Sequence, residues 1–163
     1  MHIKKSFFLL LLSVGFLSSC SVSKSARQDR SVLNGYWILS NVSYEGNEGR
    51  FNSVLFNDAE ANCFESSNWF FRNNNSTGSY VLANNGNCDQ TERFIRWSVI
   101  DREGMPGQLQ FKFIDDKYKD ISGGIGYRLD IVSLNATHMT LNSKVTVDGE
   151  PITVVYEFSK NDQ

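Results

Sequence analysis

The chain has 163 residues, of which 16 are basic and 18 acidic, and its formal net charge is −2. This length suits a single domain of ordinary size. Beyond the first 19 residues there is no cluster of Lys or Arg that could neutralise a phosphate backbone. We therefore expect no nucleic-acid partner.

Residues 1–19 have the pattern of a secretory signal peptide. Lys4 and Lys5 form a short positive region, and residues 7–17 form an apolar run that is shorter than the roughly 20 residues of a bilayer-spanning helix. The run ends in Leu17-Ser18-Ser19-Cys20, which resembles a bacterial lipobox. We predict cleavage before Cys20, acylation of Cys20 (palmitate being a typical acyl group) and attachment to a membrane through this lipid.

The residues after the lipobox predict a tether and a location. Residues 20–32 are polar and lack an apolar period, so we interpret them as the lipidated Cys20 followed by a flexible linker. An Asp directly after the lipidated cysteine is the best-known signal for retention at the inner membrane, and Ser21 stands there instead. The expected location is therefore outside the cytoplasm, at the outer membrane of a Gram-negative bacterium.

Two cysteines remain in the mature chain, Cys63 and Cys88. An even pair outside the cytoplasm is normally oxidised, so we predict a disulfide between them. A catalytic thiol would need a neighbouring base, and His138 is the only histidine left after the signal peptide. We expect no enzyme activity, no metal site and no cofactor.

From residue 34 onward the dominant period is two, which is typical of strands with one buried face. Leu109, Phe111 and Phe113, for example, alternate with polar residues, and Asp148-Gly149 has the composition of a tight hairpin turn. About eight strands with short connections favour an all-β antiparallel barrel over a sandwich, because closure removes exposed edges. Only residues 58–66 look helical, and we interpret them as a short lid. The predicted strands are 36–44, 69–72, 78–83, 95–99, 109–113, 126–133, 139–147 and 152–158.

Gly35-Tyr36-Trp37 opens the first strand and resembles the Gly-x-Trp signature of the lipocalins. The chain also resembles the lipocalin-like lipoproteins of the Bacteroidota in residues 63–69, in Gly78-Ser79-Tyr80, in Cys88 and in residues 95–97. The resemblance implies a single up-and-down barrel of about eight strands over residues 33–160, closed at one end by Gly35 and Trp37. It also implies a small hydrophobic ligand.

The signature is incomplete, since there is no Thr-Asp-Tyr-like turn and the predicted last strand has no Arg to lie over Trp37. Lys160 follows that strand directly, and Arg128 belongs to an earlier one.

The alternation also indicates which aromatic residues face the barrel interior. An eight-stranded barrel is either filled by side chains or holds one small ligand. We expect Phe71, Trp97, Phe111 and Tyr127 to line a pocket at the end opposite Trp37. The leading hypothesis is a membrane-anchored protein that binds a small hydrophobic molecule there. The alternative is a cell-envelope protein that binds or inhibits another protein while its barrel is solid.

Overall fold

The computed structural model describes residues 22–46, 53–147 and 149–161, and within them the chain forms one closed barrel. The elements are α1 Lys24–Leu33, β1 Gly35–Glu45, β2 Val54–Leu55, β3 Ala59–Glu60, α2 Ala61–Phe64, β4 Ser67–Arg72, β5 Thr77–Val81, β6 Arg93–Arg102, β7 Met105–Ile114, β8 Tyr127–Leu134, β9 His138–Val147 and β10 Glu150–Asn161. Eight antiparallel strands are hydrogen-bonded in the order β1-β10-β9-β8-β7-β6-β5-β4, and β1 closes the ring by pairing with β4. The fold class predicted from the sequence is therefore confirmed.

The strand registers explain why one set of apolar residues fills the barrel. Successive side chains of a strand point to opposite faces, so neighbouring strands must place their apolar residues on the same rung. Trp37 pairs with Trp69, and Trp97 pairs with Phe111, and all four side chains are buried. The core is thus the barrel interior itself.

Helix α1 covers one end of the barrel, and for residues 24–32 it corrects the interpretation as a flexible tether. The hydroxyl oxygen of Ser23 accepts a hydrogen bond from the amide of Ala26 at 3.1 Å and caps the helix. Ala26 and Leu33 are the buried residues of the helix. Because only two side chains of α1 are fully buried, its sequence lacks the apolar period that would have predicted a helix.

Two cations hold α1 against this closed end. The guanidinium of Arg30 lies 5.0 Å from the Trp97 ring centre and donates to Asn73 and Ser76 in the turn between β4 and β5. The Nζ atom of Lys160 lies 4.4 Å from the ring centre of Trp37. Strand β10 extends to Asn161, so Lys160 is part of the last strand and supplies the cation that the sequence analysis placed beyond it.

Gly35 and Trp37 lie at this same end. Gly35 has φ +114, a conformation that glycine adopts without strain. Two residues later, the side chain of Trp37 points into the barrel. The indole Nε1 of Trp37 donates to the carbonyl oxygen of Leu33 at 2.8 Å, and Trp37 is completely buried. The start of β1 is thereby fixed to the end of α1.

A lid covers the opposite end, which we call the mouth. It consists of the hairpin β2–β3 and of α2, which lies inside the range 58–66 where the sequence looked helical. The predicted disulfide is confirmed: Cys63 of α2 is bonded to Cys88 in the connection between β5 and β6, with Cα atoms 5.6 Å apart. In the described ranges no helix has the length and apolarity to cross a membrane. The signal peptide, Cys20 and Asp148 lie outside the described residues.

Candidate ligand site at the barrel mouth

A phenylalanine from the lid fills the mouth. Phe56 lies in the turn between β2 and β3, and its side chain is only 8% exposed although it belongs to no barrel strand. Its ring centre lies 5.0–6.2 Å from five other aromatic rings, which form a cage around it. The members of this aromatic cage are Phe64, Trp69, Phe111, Tyr127 and Tyr156.

The turn that carries Phe56 is strained. Phe56 has φ +54 and Asn57 has φ +50, while the amide of Asp58 donates to the carbonyl oxygen of Leu55 at 3.0 Å and closes a short hairpin. Asparagine tolerates the left-handed region, but a bulky residue such as phenylalanine is rarely found there. Such strain costs about 1–3 kcal/mol and persists only where surrounding contacts enforce it. The aromatic cage supplies those contacts.

A partly buried hydrogen-bond network holds the lid closed, and we call it the latch. The Asp58 carboxylate accepts a hydrogen bond from the Tyr80 hydroxyl at 2.7 Å and an ion-paired one from Arg93 at 3.0 Å. Arg93 also binds Asp89, beside the disulfide. Burial, with the hydrogen bond to Asp58 adding to it, raises the pKa of Tyr80 well above its ordinary value. The phenol therefore stays neutral and remains a donor.

Beneath Phe56 the barrel interior is filled by side chains. A cavity large enough for a ligand would leave accessible surface on the residues that line it, yet Phe71, Trp97 and Phe111 are 0%, 2% and 3% exposed. Phe71 and Trp97 contact each other at 5.4 Å near α1, so they lie toward the closed end rather than at the mouth. The reason is that β4 starts at the lid and runs down the barrel, which brings its last residues to the floor.

Of the four pocket residues expected from the sequence, Phe111 and Tyr127 are at the mouth. Their ring centres are 5.2 Å apart, and Tyr127 is half-buried. Burial raises the pKa of Tyr127, and a hydrogen bond with Asn57 of the lid turn opposes this shift. The sequence analysis missed Phe56, because it does not lie in an alternating strand. The signal that could have found it is Val54-Leu55-Phe56 followed directly by the turn residues Asn57 and Asp58.

A depression of about 410 Å³ lies beside the lid on the outside of the mouth. Asn57 and Asp58 form its lid side, and Phe113, whose ring contacts both Phe111 and Tyr127, leads from it toward the cage. Among the described residues no group of three or more His, Cys, Asp or Glu side chains is placed to hold a metal ion. The chemistry of the mouth is thus that of aromatic surface with a few hydroxyl, amide and carboxylate groups. The depression is lined by Asn57, Asp58, Glu92, Arg93, Phe94, Phe113, Ile114, Asp115 and Ile121.

Comparison with known protein families gives a match to the lipocalin-like domain over residues 33–141. The chain belongs to this lipocalin-like family. The matched region begins just before β1 and ends within β9, and β10 completes the barrel beyond it. Comparison with curated proteins gives no significant match.

Solved structures with a similar fold include three complexes of bovine odorant-binding protein. The complex with a selenium-containing odorant is 14% identical, with a TM-score of 0.42, over 88% of this chain and 79% of that one. The complex with its natural ligand is 14% identical, with a TM-score of 0.39, over 82% and 74%. The complex with undecanal is 14% identical, with a TM-score of 0.37, over 80% and 72%.

Proposed function

We propose that this lipocalin-like protein binds a small apolar molecule at the barrel mouth, in the space that the Phe56 ring occupies when the lid is closed. The observation that carries the proposal is the origin of this ring. It comes from a strained two-stranded hairpin outside the barrel, so it can leave without breaking any strand pairing of the barrel. Small hydrophobic ligands are also what the lipocalin fold implies.

The aromatic cage indicates the chemistry of the ligand. The space vacated by a phenylalanine ring is comparable to engineered protein cavities of about 150 Å³ that bind benzene. Cage members offer π faces and edges to a flat apolar group. The hydroxyl groups of Tyr127 and Tyr156 offer hydrogen bonds to one polar substituent, as small-molecule sites commonly do. A ligand with one aromatic or compact apolar group and a single polar substituent fits best.

Binding of 2-naphthol, a neutral fluorophore with one flat aromatic group and one hydroxyl group, tests the proposal. We expect saturable binding by the wild-type chain and quenching of tryptophan fluorescence, because Trp69 belongs to the cage. Asp58→Asn removes the charge from the latch, so the lid opens more often and the apparent affinity rises. Val132→Ala, on the exposed outer wall, is the matched control and leaves binding unchanged. Absence of saturable binding in both wild type and Asp58→Asn would remove the proposal.

We also propose that the protein is anchored to the outer membrane through a lipid on Cys20. Residues 21–23 separate Cys20 from the first residue of α1, and four residue steps span at most about 14 Å. The closed end would then lie near the membrane surface, and the mouth would face away from it. Ligand would enter from the aqueous side. Cys20→Ala should move the protein from the membrane fraction to the soluble fraction, and unchanged fractionation would contradict the anchor.

The filled interior favours a second candidate function, in which the protein binds another protein of the cell envelope. In that case the closed lid is permanent and Phe56 is only a core residue. The first surface to test is the connection between β7 and β8, residues 115–126, which leaves Tyr118, Ile121 and Ile125 exposed. Substitutions there should then abolish capture of the partner, whereas probe binding at the mouth should be absent throughout.

A further inference from the structure

A groove runs along the outside of the barrel, on the wall formed by β1, β4, β5 and β6. The strand registers place Tyr36, Phe70, Ser79 and Phe94 side by side on one outward rung. Tyr36 and Phe70 are stacked, with ring centres 4.5 Å apart. Phe94 faces them from the other side of Ser79. We call this feature the outer-wall groove.

The floor of the groove is formed by Ser79, the residue of β5 that lies on the same outward rung. The preceding Gly78 lies on the inward rung between Phe71 and Ile95, where a Cβ atom would clash with the Phe70 carbonyl oxygen. Ser79 adds only a hydroxyl. Because β4 and β6 are two strand spacings apart, the aromatic walls are separated by about 9–10 Å. The groove has a volume of about 280 Å³.

Two aromatic side chains of the groove walls are about half exposed to solvent. Tyr36 is 45% exposed, and Tyr118, which reaches the groove from the connection between β7 and β8, is 52% exposed with φ +63. Cross-strand stacking explains why Tyr36 and Phe70 occur together. It does not explain why Phe94 and Tyr118 face them across a floor without large side chains.

Charged groups of both signs stand at the two ends of the groove. Arg72 lies over the Phe70 ring at 5.5 Å, and Glu92 and Asp116 are at the other end. Within the described part of the chain, none of these three side chains forms an ion pair or a side-chain hydrogen bond. The groove therefore offers guanidinium donors and carboxylate acceptors next to aromatic faces.

We propose that the outer-wall groove binds a saccharide. A pyranose ring has an apolar face whose C–H groups, slightly positive, are attracted to the negative face of an aromatic ring. Its hydroxyl groups both donate and accept hydrogen bonds, which matches carboxylates and a guanidinium on opposite sides. A purely aromatic ligand would leave Glu92 and Asp116 without donors, and a phosphate would be repelled by them. The proposal is independent of the ligand at the mouth.

The test is a titration of the mature chain carrying Cys20→Ala, followed by the amide resonances of Gly78 and Ser79 in two-dimensional NMR. The probes are methyl β-glucopyranoside, methyl α-mannopyranoside and N-acetylglucosamine. Sorbitol is the matched control, since it carries similar hydroxyl groups without a rigid apolar ring face. For a ligand of this size we expect a dissociation constant of about 1 mM for at least one probe and no saturation with sorbitol.

Variants locate the binding. Tyr36→Ala and Tyr118→Ala should each weaken it about fivefold, since each removes one stacking surface. Ser79→Leu, which fills the floor, should abolish it, while Val132→Ala should leave it unchanged. Failure of all three sugars to shift Gly78 and Ser79 would overturn the proposal. Shifts of these amide resonances that follow the protein concentration and not the sugar concentration would also overturn the proposal. They would indicate that the groove is a protein-docking face. Unchanged amide spectra elsewhere show that each variant is folded.

Discussion

Phe56→Ala removes the ring that closes the mouth. Phenylalanine-to-alanine changes in protein cores cost about 3–5 kcal/mol, and the lower part of this range applies where the surroundings can collapse. The lid hairpin has two strands of two residues each and can partly collapse onto the cage. We therefore expect the free energy of unfolding to fall by about 3 kcal/mol. Alanine keeps the left-handed strain of this position, so no compensating relief is expected.

Phe56→Gly distinguishes the effect of losing the ring from the effect of backbone strain at this position. Glycine adopts a φ of +54 freely, and the left-handed conformation costs other residues about 1–2 kcal/mol. The glycine variant should therefore be more stable than the alanine variant by about 1 kcal/mol, although it loses one carbon more. This order is the reverse of what is usual in helices and strands, and it reports on strain alone.

Urea denaturation measures both effects as shifts of the midpoint at constant slope. Indole, added to Phe56→Ala at ten times its dissociation constant, should restore about 1.4 kcal/mol by binding to the native state. It should restore less in the wild-type chain, where the Phe56 ring competes with it. A loss below 1 kcal/mol in Phe56→Ala would show that this ring does not close the core. Equal stabilisation of both chains by indole would show that Phe56 does not occupy a ligand site.

Two further predictions concern the disulfide and the buried Tyr156. Replacing Cys63 and Cys88 together by serine should lower the free energy of unfolding by about 3–4 kcal/mol, as measured in urea, because the closed loop of 25 residues becomes free in the unfolded chain; a loss below 1 kcal/mol would contradict this. Burial raises the pKa of Tyr156 to about 12, so its contribution to stability is complete below pH 10 and is lost between pH 10 and pH 12. Tyr156→Phe should therefore reduce the fall in stability over this interval by about 2–3 kcal/mol, and an unchanged fall would refute the assignment.

The barrel could be predicted because its signal is local. Alternation in a stretch such as Leu109, Phe111 and Phe113 depends only on the geometry of one strand, and turn residues separate one strand from the next. Closure followed from the number of strands and the need to cover edges. The disulfide followed from counting. None of these steps required knowledge of which residues meet across the fold.

The lid and α1 could not be predicted because contacts distant in sequence determine them. Arg30 is placed by the turn between β4 and β5, more than 40 residues away. Phe56 is buried by cage residues from four different barrel strands and from α2, while its own segment has no period. To predict how deep Phe71 and Trp97 lie in the barrel, one would need the direction of each strand in the closed ring. Alternation says only that a side chain points inward, and it does not say at which height.

Lys160→Met tests whether the closed end is held by the cation. The Nζ atom donates to the carbonyl oxygens of Val32 at 3.0 Å and Asn34 at 2.6 Å while it lies over Trp37. Charged hydrogen bonds of this kind contribute about 1.5–3 kcal/mol each when taken alone, and a cation–π contact adds about 1 kcal/mol. Since methionine keeps the apolar stem and water reaches the freed carbonyl of Asn34, we expect a net loss of about 2 kcal/mol.

Besides lowering the overall stability, Lys160→Met should destabilise α1 and the start of β1 locally. Amide hydrogen exchange should accelerate in α1 and at the start of β1, because Lys160 joins these two segments to β10. Lys144→Met, at an exposed position on β9, is the matched control and should change neither stability nor exchange. Lys160→Arg should retain protection, since its guanidinium also donates and lies over aromatic faces. If Lys160→Met and Lys144→Met behave alike, the helix is held by the contacts of Arg30 and by the burial of Ala26 and Leu33, and the cation over Trp37 is incidental.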